Sequence, residues 1–326
     1  MKKHSLYLFF LLLSLITTAY AGGGMSHMYV AEKTIALLPD KSLRLLLENN
    51  KEAYLAGAYY PDSGYVRPNL YGEDSHWNPF IYTFADYIKE KYQNPAVSNP
   101  KLVAFLFGCA VHSVSDIIMH WTFYNVSKEK DFDGDWNKAH HYGDAGIDLL
   151  LNIDKNQWFT HPITWWVPLS DLLAIYHRMG KDQYTRDQII WGTSVTYLAG
   201  YGERAISAPS YPYLKWKMPW TAAHYEDWPQ GGLDMDEKKV AVYLTNLWAR
   251  LNTSKTLTTH EKALPQKRDE AESPFFAFAA SAVKSKTAIV PITKNQDGSI
   301  LVNQPIIENP GRFAALLDAL LKGVTT

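Results

Sequence analysis

The chain has 326 residues, of which 47% are hydrophobic, 14% aromatic and 20% charged, and its formal net charge is -1. This composition is too apolar for a disordered chain, and the near-neutral charge does not suggest a polyanion-binding surface. Cys109 is the single cysteine, which excludes an intramolecular disulfide framework and a thiolate zinc site of the CxxC kind. A metal ion would therefore have to bind His, Asp and Glu side chains.

The N-terminal segment predicts a secretory signal peptide over residues 1–21. The charged start MKKH is followed by an apolar run over 6–16 and by the A-x-A sequence AYA at 19–21, which is the order of regions in such a peptide. A membrane anchor is the alternative, but the run is shorter than the ~20 residues that a spanning helix needs. We expect cleavage after Ala21, no later membrane span, and a secreted or periplasmic protein that begins at Gly22.

Helix signals dominate the rest of the sequence. Asn or Ser followed by Pro precedes four apolar-periodic runs, at Asn78, Asn99, Ser273 and Asn309, and this pair of residue types favours a helix start. The spacing of apolar residues predicts helices over 28–38, 41–49, 79–92, 100–124, 136–151, 169–179, 186–205 and 236–251, with two more near the C-terminus.

One strand pair and one polar break complete the predicted organisation. Residues 287–305, around the sequence QDGS at 296–299, predict two short strands joined by a turn. The polar stretch 252–272 is the best candidate for a linker or a solvated helix. We therefore expect a mostly α protein. Its parts are a single multi-helix domain over 22–251 and a small C-terminal extension over 252–326, with a short hairpin and two helices.

The predicted helix over 100–124 carries three side chains that can bind a metal. His112, Asp116 and His120 are spaced four residues apart, so they share one helical face. Any one helix histidine is usually a hydrogen-bonded core or surface residue. Buried together among apolar neighbours without partners, however, the three groups would cost on the order of several kcal/mol, and a divalent cation would supply those partners.

A second predicted helix repeats this spacing. His140 and Asp144 are again four residues apart, so they also share a helical face. His141, between them in sequence, points elsewhere. The two helices together therefore offer five candidate ligands.

Three further candidates lie upstream. Asp62 follows a proline-directed turn at the end of a predicted helix, His76 directly precedes a helix start, and His27 lies near the start of the first mature helix. The nitrogen and oxygen donors suit zinc better than calcium or magnesium, and they are too many for one tetrahedral ion. The complete set of side chains is His27, Asp62, His76, His112, Asp116, His120, His140 and Asp144.

The order and spacing of these residues resemble the zinc-dependent phospholipase C family. That family includes the catalytic region of glycosylphosphatidylinositol-specific phospholipase D and is similar in fold to S1/P1-type nucleases. The resemblance covers about 22–151. It depends on AYLAGAYYPD at 53–62, SHWNPF at 75–80, FGCAVH at 107–112 with the ligand candidates that follow, and AHHYGD at 139–144.

The resemblance implies two to three zinc ions, with Asp116 bridging two of them. Cleavage after Ala21 would make Gly22 the N-terminus, where members of the family bind zinc through the terminal amine and carbonyl. The implied ligand sets are Asp62, His76, His112 and Asp116 for one ion, His120, His140 and Asp144 for a second, and Gly22, His27 and Asp116 for a third.

Two positions depart from parts of the family. The interval from Asp116 to His120 is shorter than in the secreted bacterial phospholipases C and the nucleases, and is similar to the phospholipase D branch. Asp144 replaces the glutamate of some bacterial phospholipases, which is an equivalent ligand for zinc. C-type cleavage, D-type cleavage and nuclease activity therefore all stay open.

Clustered zinc ions favour reactions at phosphorus, because they activate water and stabilise both oxygens of an in-line displacement. We expect a secreted phosphodiesterase that hydrolyses phospholipids in the phospholipase C manner. Asp62 and Asp116 are the catalytic candidates, and Asp62 would orient or deprotonate the attacking water. The alternatives are a phospholipase D-like or single-strand nuclease activity at the same zinc site, or a non-catalytic metal-binding protein. We expect a phospholipid substrate, transient contact with a membrane surface, no stable nucleic-acid complex and a monomer.

Three tryptophans lie in a stretch, 215–229, that we predict to be irregular. They are Trp216, Trp220 and Trp228, beside Lys215 and Lys217. Core packing is the ordinary explanation for each ring. The alternative is an interfacial patch that inserts among lipid headgroups, whereas a nuclease would use such rings to stack bases.

Overall fold

Helices make up almost all of the chain that the structure describes. The structure is a computed structural model, and it describes residues 24–66, 71–157 and 166–252 together with the backbone of two strands, 292–294 and 300–302. The predicted mostly α fold class is confirmed. In chain order the helices are α1 (Gly24–Leu37), α2 (Lys41–Asn49), α3 (Lys51–Tyr59), a 3-10 turn (Pro61–Tyr65), α4 (Gly72–His76), α5 (Asn78–Lys91), α6 (Pro95–Ser98), α7 (Pro100–Ile118), a π-helical turn (Met119–Phe123), α8 (Tyr124–Asp131), α9 (Trp136–Asp154), α10 (Leu169–Arg178), α11 (Arg186–Lys217), α12 (Pro219–His224) and α13 (Leu233–Asn252).

Two short strands lie within the segment 287–305. Strand β1 (Ile292–Lys294) pairs with β2 (Ile300–Val302) in antiparallel register, with Thr293 opposite Leu301. Other predictions lie outside the described residues, namely the signal peptide, the terminal ligand Gly22 and the two helices near the C-terminus. The boundaries of the helical domain and of the C-terminal extension stay predictions.

Helix α7 is the central core helix, and it begins where the Asn-Pro pair predicted. The side chain of Asn99 accepts a hydrogen bond from the Leu102 N–H at 3.2 Å, which caps the helix. Helix α7 packs most extensively against α3. A Cβ added to Gly57 would lie 2.1 Å from the carbonyl oxygen of Phe105, and one added to Gly108 would lie 2.0 Å from that of Tyr54. Glycine at both positions lets the two backbones touch.

The core helix is apolar enough to resemble a membrane span. The stretch Pro100–Asp131 passes the length and composition test for a spanning helix, but 94% of its most apolar window is buried inside the helical unit. Our prediction that no later stretch is long and apolar enough was therefore wrong on those two criteria. Burial of this kind is what the core helix of a folded protein shows.

Helix α11 is longer than the periodicity predicted. It has 32 residues and continues through Pro209 and Pro212 to Lys217, whereas the sequence predicted an end at 205. Proline inside a helix removes one backbone hydrogen bond and favours a bend. The prediction of an irregular stretch over 215–229 was also wrong in part, because α12 follows α11 almost directly.

Candidate metal centre

Four side chains from three parts of the fold converge in the core. Asp62 comes from the 3-10 turn that follows α3, His76 from the last position of α4, and His112 and Asp116 from one face of α7. The Nε2 atoms of His76 and His112 lie 3.0 Å apart, and Asp62 Oδ1 lies 3.5 and 3.6 Å from them. Asp116 Oδ2 lies 3.4 Å from His76 Nε2 and 3.7 Å from His112 Nε2. We call these four residues the inner group.

Backbone carbonyls fix the orientation of both imidazoles of the inner group. Nδ1 of His112 lies 2.8 Å from the carbonyl oxygen of Ala58, and Nδ1 of His76 lies 2.6 Å from that of Gly72. A carbonyl accepts only, so each Nδ1 carries the proton and donates. In the neutral tautomer both Nε2 atoms then present lone pairs to the same point. Second-sphere hydrogen bonds of this kind are typical of histidines that bind metals.

The spacing of Asp62, His76 and His112 fits three ligands of one cation. Zinc bonds of about 2.0–2.1 Å place neighbouring donor atoms about 3.3 Å apart, close to the separations of 3.0 to 3.6 Å among these three side chains. Asp62 Oδ2 is buried without a hydrogen-bond partner. Among the described residues, the ion pairs of Asp62 and Asp116 are all with histidines. A cation would therefore compensate buried carboxylates that no lysine or arginine neutralises.

Asp116 also contacts two histidines outside the inner group. Its second oxygen, Oδ1, lies 3.2 Å from Nε2 of His27 on α1 and 3.6 Å from Nε2 of His120. His27 shares a potential metal-binding group with His112 and Asp116. The carboxylate of Asp116 thus stands between separate sets of imidazoles, which is the position of a bridging ligand.

A third set of donors, the outer group, consists of His120, His140 and Asp144. Asp144 Oδ1 lies 3.4 Å from His120 Nε2, and Asp144 Oδ2 lies 3.3 Å from His140 Nε2. The side chains of His120 and His140 are 19% and 22% exposed, whereas those of the inner group are almost fully buried. Solvent and substrate therefore reach the outer group more directly.

Tyr124 holds the outer group together. Its hydroxyl donates to Asp144 Oδ1 at 2.8 Å, and its ring stacks on that of His120 with centroids 5.4 Å apart. The helix widens at this point, since the Tyr124 N–H bonds to the carbonyl of Met119 in the π-helical turn that carries His120. Such turns are rare and are frequent at functional sites.

Electrostatics divide the histidines of the cluster into two kinds. Burial alone would lower the pKa of both His27 and His120. The charge of Asp116 outweighs burial at His27, and the charges of Asp116 and Asp144 together outweigh it at His120. The pKa of each histidine is therefore raised to about 9. At His112, burial and the neighbouring His27 and His76 outweigh Asp116 and hold the pKa well below the usual range. Although burial opposes it, the surrounding histidines hold the pKa of Asp116 well below its usual range. A bound cation would displace protons from His27 and His120.

A sequence profile described as zinc dependent phospholipase C matches residues 26–189, which is half of the chain and contains all eight clustered side chains. The chain belongs to this family. Membership confirms the family that the sequence motifs resembled, and it confirms a phosphodiester hydrolase. Together with the buried histidine and aspartate donors, it also supports zinc as the metal.

Curated proteins similar to this chain are phosphatidylinositol-glycan-specific phospholipases D. The chain is 30% identical over 246 residues to the Homo sapiens protein, which covers 69% of this chain and 28% of the relative. It is 31% identical to the Mus musculus protein over 252 residues, and this match covers 73% of the chain and 30% of the relative. The chain therefore spans less than a third of the length of these relatives. No solved structure shows significant similarity to it.

The structure brings together all of the side chains that the sequence suggested as metal ligands. Four of the eight side chains form the inner group and three form the outer group, and His27 contacts Asp116. Gly22 lies outside the described residues. His141 is exposed and belongs to none of the candidate metal groups of the described chain, as predicted. Assignment of each side chain to an ion stays a proposal.

Sequence reasoning missed two buried carboxylates that support the cluster. Asp148 accepts hydrogen bonds from the Met25 and Ser26 N–H groups, both at 2.8 Å, and so fixes the start of α1 beside His27. Asp236 on α13 accepts a hydrogen bond from the Ser115 hydroxyl, next to Asp116. No local sequence motif marks either aspartate, because the residues that each one contacts lie more than 100 positions away in sequence.

The tryptophans of 215–229 do not form one surface patch. Trp220 and Trp228 pack against Phe123, with ring centroids 5.3 and 5.9 Å apart, so both contribute to the core. Trp216 alone is largely exposed, at 74%. The ordinary explanation of core packing therefore holds for two of the three.

Proposed function

We propose that this zinc-dependent phosphodiesterase hydrolyses phospholipids by attack of water at phosphorus, in the phospholipase C manner. One observation carries the proposal: the donor atoms of Asp62, His76 and His112 lie at the spacing of ligands to one cation, with Asp116 beside both histidines, and Asp62 Oδ2 has no partner. That oxygen is available to a water molecule that approaches the cluster. The proposal includes secretion, which depends on the signal-peptide pattern over 1–21.

We assign two to three zinc ions to the cluster. When bound, zinc supplies Lewis-acid stabilisation of phosphoryl oxygens and lowers the pKa of water. The proposed ligand sets are Asp62, His76, His112 and Asp116 for the first ion, His120, His140 and Asp144 for the second, and Gly22, His27 and Asp116 for the third.

Asp62 and Asp116 have different roles in this proposal. Burial raises the pKa of Asp62, the direction that suits a carboxylate that accepts a proton from water. Asp62 Oδ2 would accept a hydrogen bond from the attacking water and orient it. Asp116 instead keeps its pKa far below the usual range, so it stays ionised and holds the histidines on either side of it in register.

The outer group is the proposed side of substrate access. Its histidines are partly exposed, and Trp136 stacks on the ring of His140 with centroids 4.7 Å apart. The indole Nε1 of Trp136 is buried without a hydrogen-bond partner. A phosphodiester placed here would have its leaving oxygen beside His120 and His140, and its attacked face toward Asp62.

Phospholipase D-type cleavage is the second candidate. It is favoured by about 30% identity to the phosphatidylinositol-glycan-specific phospholipases D and by the short interval between Asp116 and His120. Both types attack the same phosphorus and differ in the oxygen that leaves, so one metal cluster would serve either.

Product analysis separates these activities. Purified mature protein is incubated with phosphatidylcholine, phosphatidylinositol and, separately, single-stranded DNA, and the products are identified by mass spectrometry. Diacylglycerol with a phosphorylated headgroup supports C-type cleavage, and phosphatidic acid with a free headgroup supports the D type. Cleaved DNA with intact lipids would replace the proposal by nuclease activity. No product from any substrate by the zinc-loaded protein would favour a non-catalytic metal-binding protein. We also propose a monomer that contacts membranes transiently and forms no stable nucleic-acid complex.

A further inference from the structure

Helix α11 shows an inverted distribution of side chains. A helix at the surface of a folded protein normally buries its large apolar side chains and exposes polar ones. Most buried positions of α11 are instead small or polar, as at Gly192, Thr196, Gly200 and Ser207. The large apolar side chains point outward, and six of the ten exposed large hydrophobic residues of the described chain belong to this one helix.

Five of these six outward-pointing side chains form one stripe. At 3.6 residues per turn they fall within about a third of the helix circumference, and Ile190 lies just outside it. Leu198 and Trp216 are 65% and 74% exposed. No exposed residue of α11 from Trp191 to Tyr213 carries a charge. We call the stripe the α11 outer face, and it consists of Trp191, Leu198, Tyr201, Tyr213 and Trp216.

The charges beside the C-terminal part of this face are positive, whereas the first turn of α11 has one charge of each sign, at Arg186 and Asp187. Beyond the first turn of α11, its solvent-accessible charged residues are Arg204, Lys215 and Lys217, and its one acid, Glu203, is buried. Arg204 lies against the ring of Tyr201, with 5.9 Å between the guanidinium carbon and the ring centroid. Aromatic and aliphatic side chains flanked by lysine and arginine are typical of helices that lie in the headgroup region of a bilayer.

The opposite face of α11 contacts the elements that carry the metal cluster. The Tyr59 hydroxyl, three residues before Asp62, donates to the carbonyl oxygen of Thr196 at 2.9 Å. Asn152 on α9, the helix of His140 and Asp144, donates to Ser207 Oγ at 3.0 Å. A helix is about 10–12 Å across with its side chains, so the outer face lies one helix diameter from these elements.

We propose that the α11 outer face docks the protein onto an anionic phospholipid surface. The inference rests on the proposed function, because a phospholipid substrate is held in such a surface. Apolar area and cationic flanks would together set the strength of binding. Contact along α11 would hold the elements that carry the metal cluster about one helix diameter from the headgroups.

Vesicle binding by paired variants tests the proposal. The full mature chain and the double variant Leu198→Glu, Trp216→Glu are sedimented with phosphatidylcholine vesicles that contain phosphatidylserine. The control is Leu45→Glu, Val97→Glu, which charges two exposed apolar side chains on α2 and α6. We expect the α11 variant to bind vesicles at least about tenfold more weakly than the parent, and the control to bind within about twofold of it.

Hydrolysis of a short-chain, monomeric phospholipid separates docking from chemistry. The α11 variant should keep the parent's kcat/KM on the monomer within about twofold while losing hydrolysis of vesicles in proportion to binding. If the parent cleaves no phospholipid, the proposed function fails, and the vesicle-binding arm still decides the docking face. Docking is overturned if the parent does not bind vesicles, or if the α11 variant binds them as well as the parent. A parent dimer that the α11 variant dissociates, without vesicle binding, would assign the face to a second copy of the chain.

Discussion

The Nε2 atoms of His76 and His112 face each other at 3.0 Å while both Nδ1 atoms are bonded to backbone carbonyls. In the neutral tautomers, two lone pairs therefore meet in a buried space, and a cation between them removes the repulsion. Since metal binding stabilises the folded state, we expect chelation of zinc to lower the melting temperature by roughly 5–10 °C. Calorimetry before and after chelation measures this shift, and added zinc should restore the original value. An unchanged melting temperature in protein shown to be free of zinc would contradict the role of these two histidines.

Asp116 is the carboxylate that contacts both the inner and the outer groups. Asp116→Ala should therefore lose more than one zinc per chain and lower turnover at least about a thousandfold. His141→Ala is the matched control, because His141 is exposed and lies next to the ligand candidate His140 in sequence. Elemental analysis and phosphodiester hydrolysis measure both effects. Greater damage from His141→Ala would show that the ligand assignment around 139–144 is wrong.

Tyr124 is a positioning residue for the outer group. Tyr124→Phe removes the hydrogen bond to Asp144 Oδ1 but keeps the ring that stacks on His120. Loss of such a second-sphere bond should weaken zinc binding at the outer group by roughly tenfold. The control is Tyr211→Phe, which removes a hydrogen bond to another aspartate of α9. That aspartate, Asp154, is the last residue of the helix and is not a ligand candidate. Competition with a zinc chelator measures affinity, and equal affinities in the two variants would contradict the assignment.

The N-terminus tests the third ion. A terminal amine binds zinc only when it is free and deprotonated, so a protein extended before Gly22 should lose the ion assigned to His27. The inner and outer groups consist of internal side chains and should stay occupied. The comparison is with the same protein after a scarless cut before Gly22. If both forms have the same zinc content and the same rate of phosphodiester hydrolysis, the terminus is not a ligand.

Local spacing in the sequence was enough to predict most of the cluster. The four-residue intervals from His112 to His120 and from His140 to Asp144 place donors on one face of a helix whatever the rest of the fold does. The Asn99 cap likewise depends on neighbours three residues away. For this reason the candidate side chains of each helix lie side by side, and α7 begins where the sequence predicted.

Features that depend on tertiary contacts could not be predicted in the same way. Asp148 caps α1 across 123 residues of sequence, and no local pattern marks it. The π-helical turn at Met119–Phe123 has an ordinary helical sequence. Helix α11 runs through Pro209 and Pro212, where propensity predicts an end. Its outer face was missed because the short predicted helix stopped at 205, before Tyr213 and Trp216.

Anomalous X-ray diffraction at the zinc absorption edge tests the central claim most directly. Crystals of the mature protein grown with zinc should show one peak among Asp62, His76, His112 and Asp116 and another among His120, His140 and Asp144. A third peak is expected between His27 and Asp116 when Gly22 is the N-terminus. Ordered side chains at these positions with no zinc peak among them would contradict the account of a multinuclear zinc phosphodiesterase.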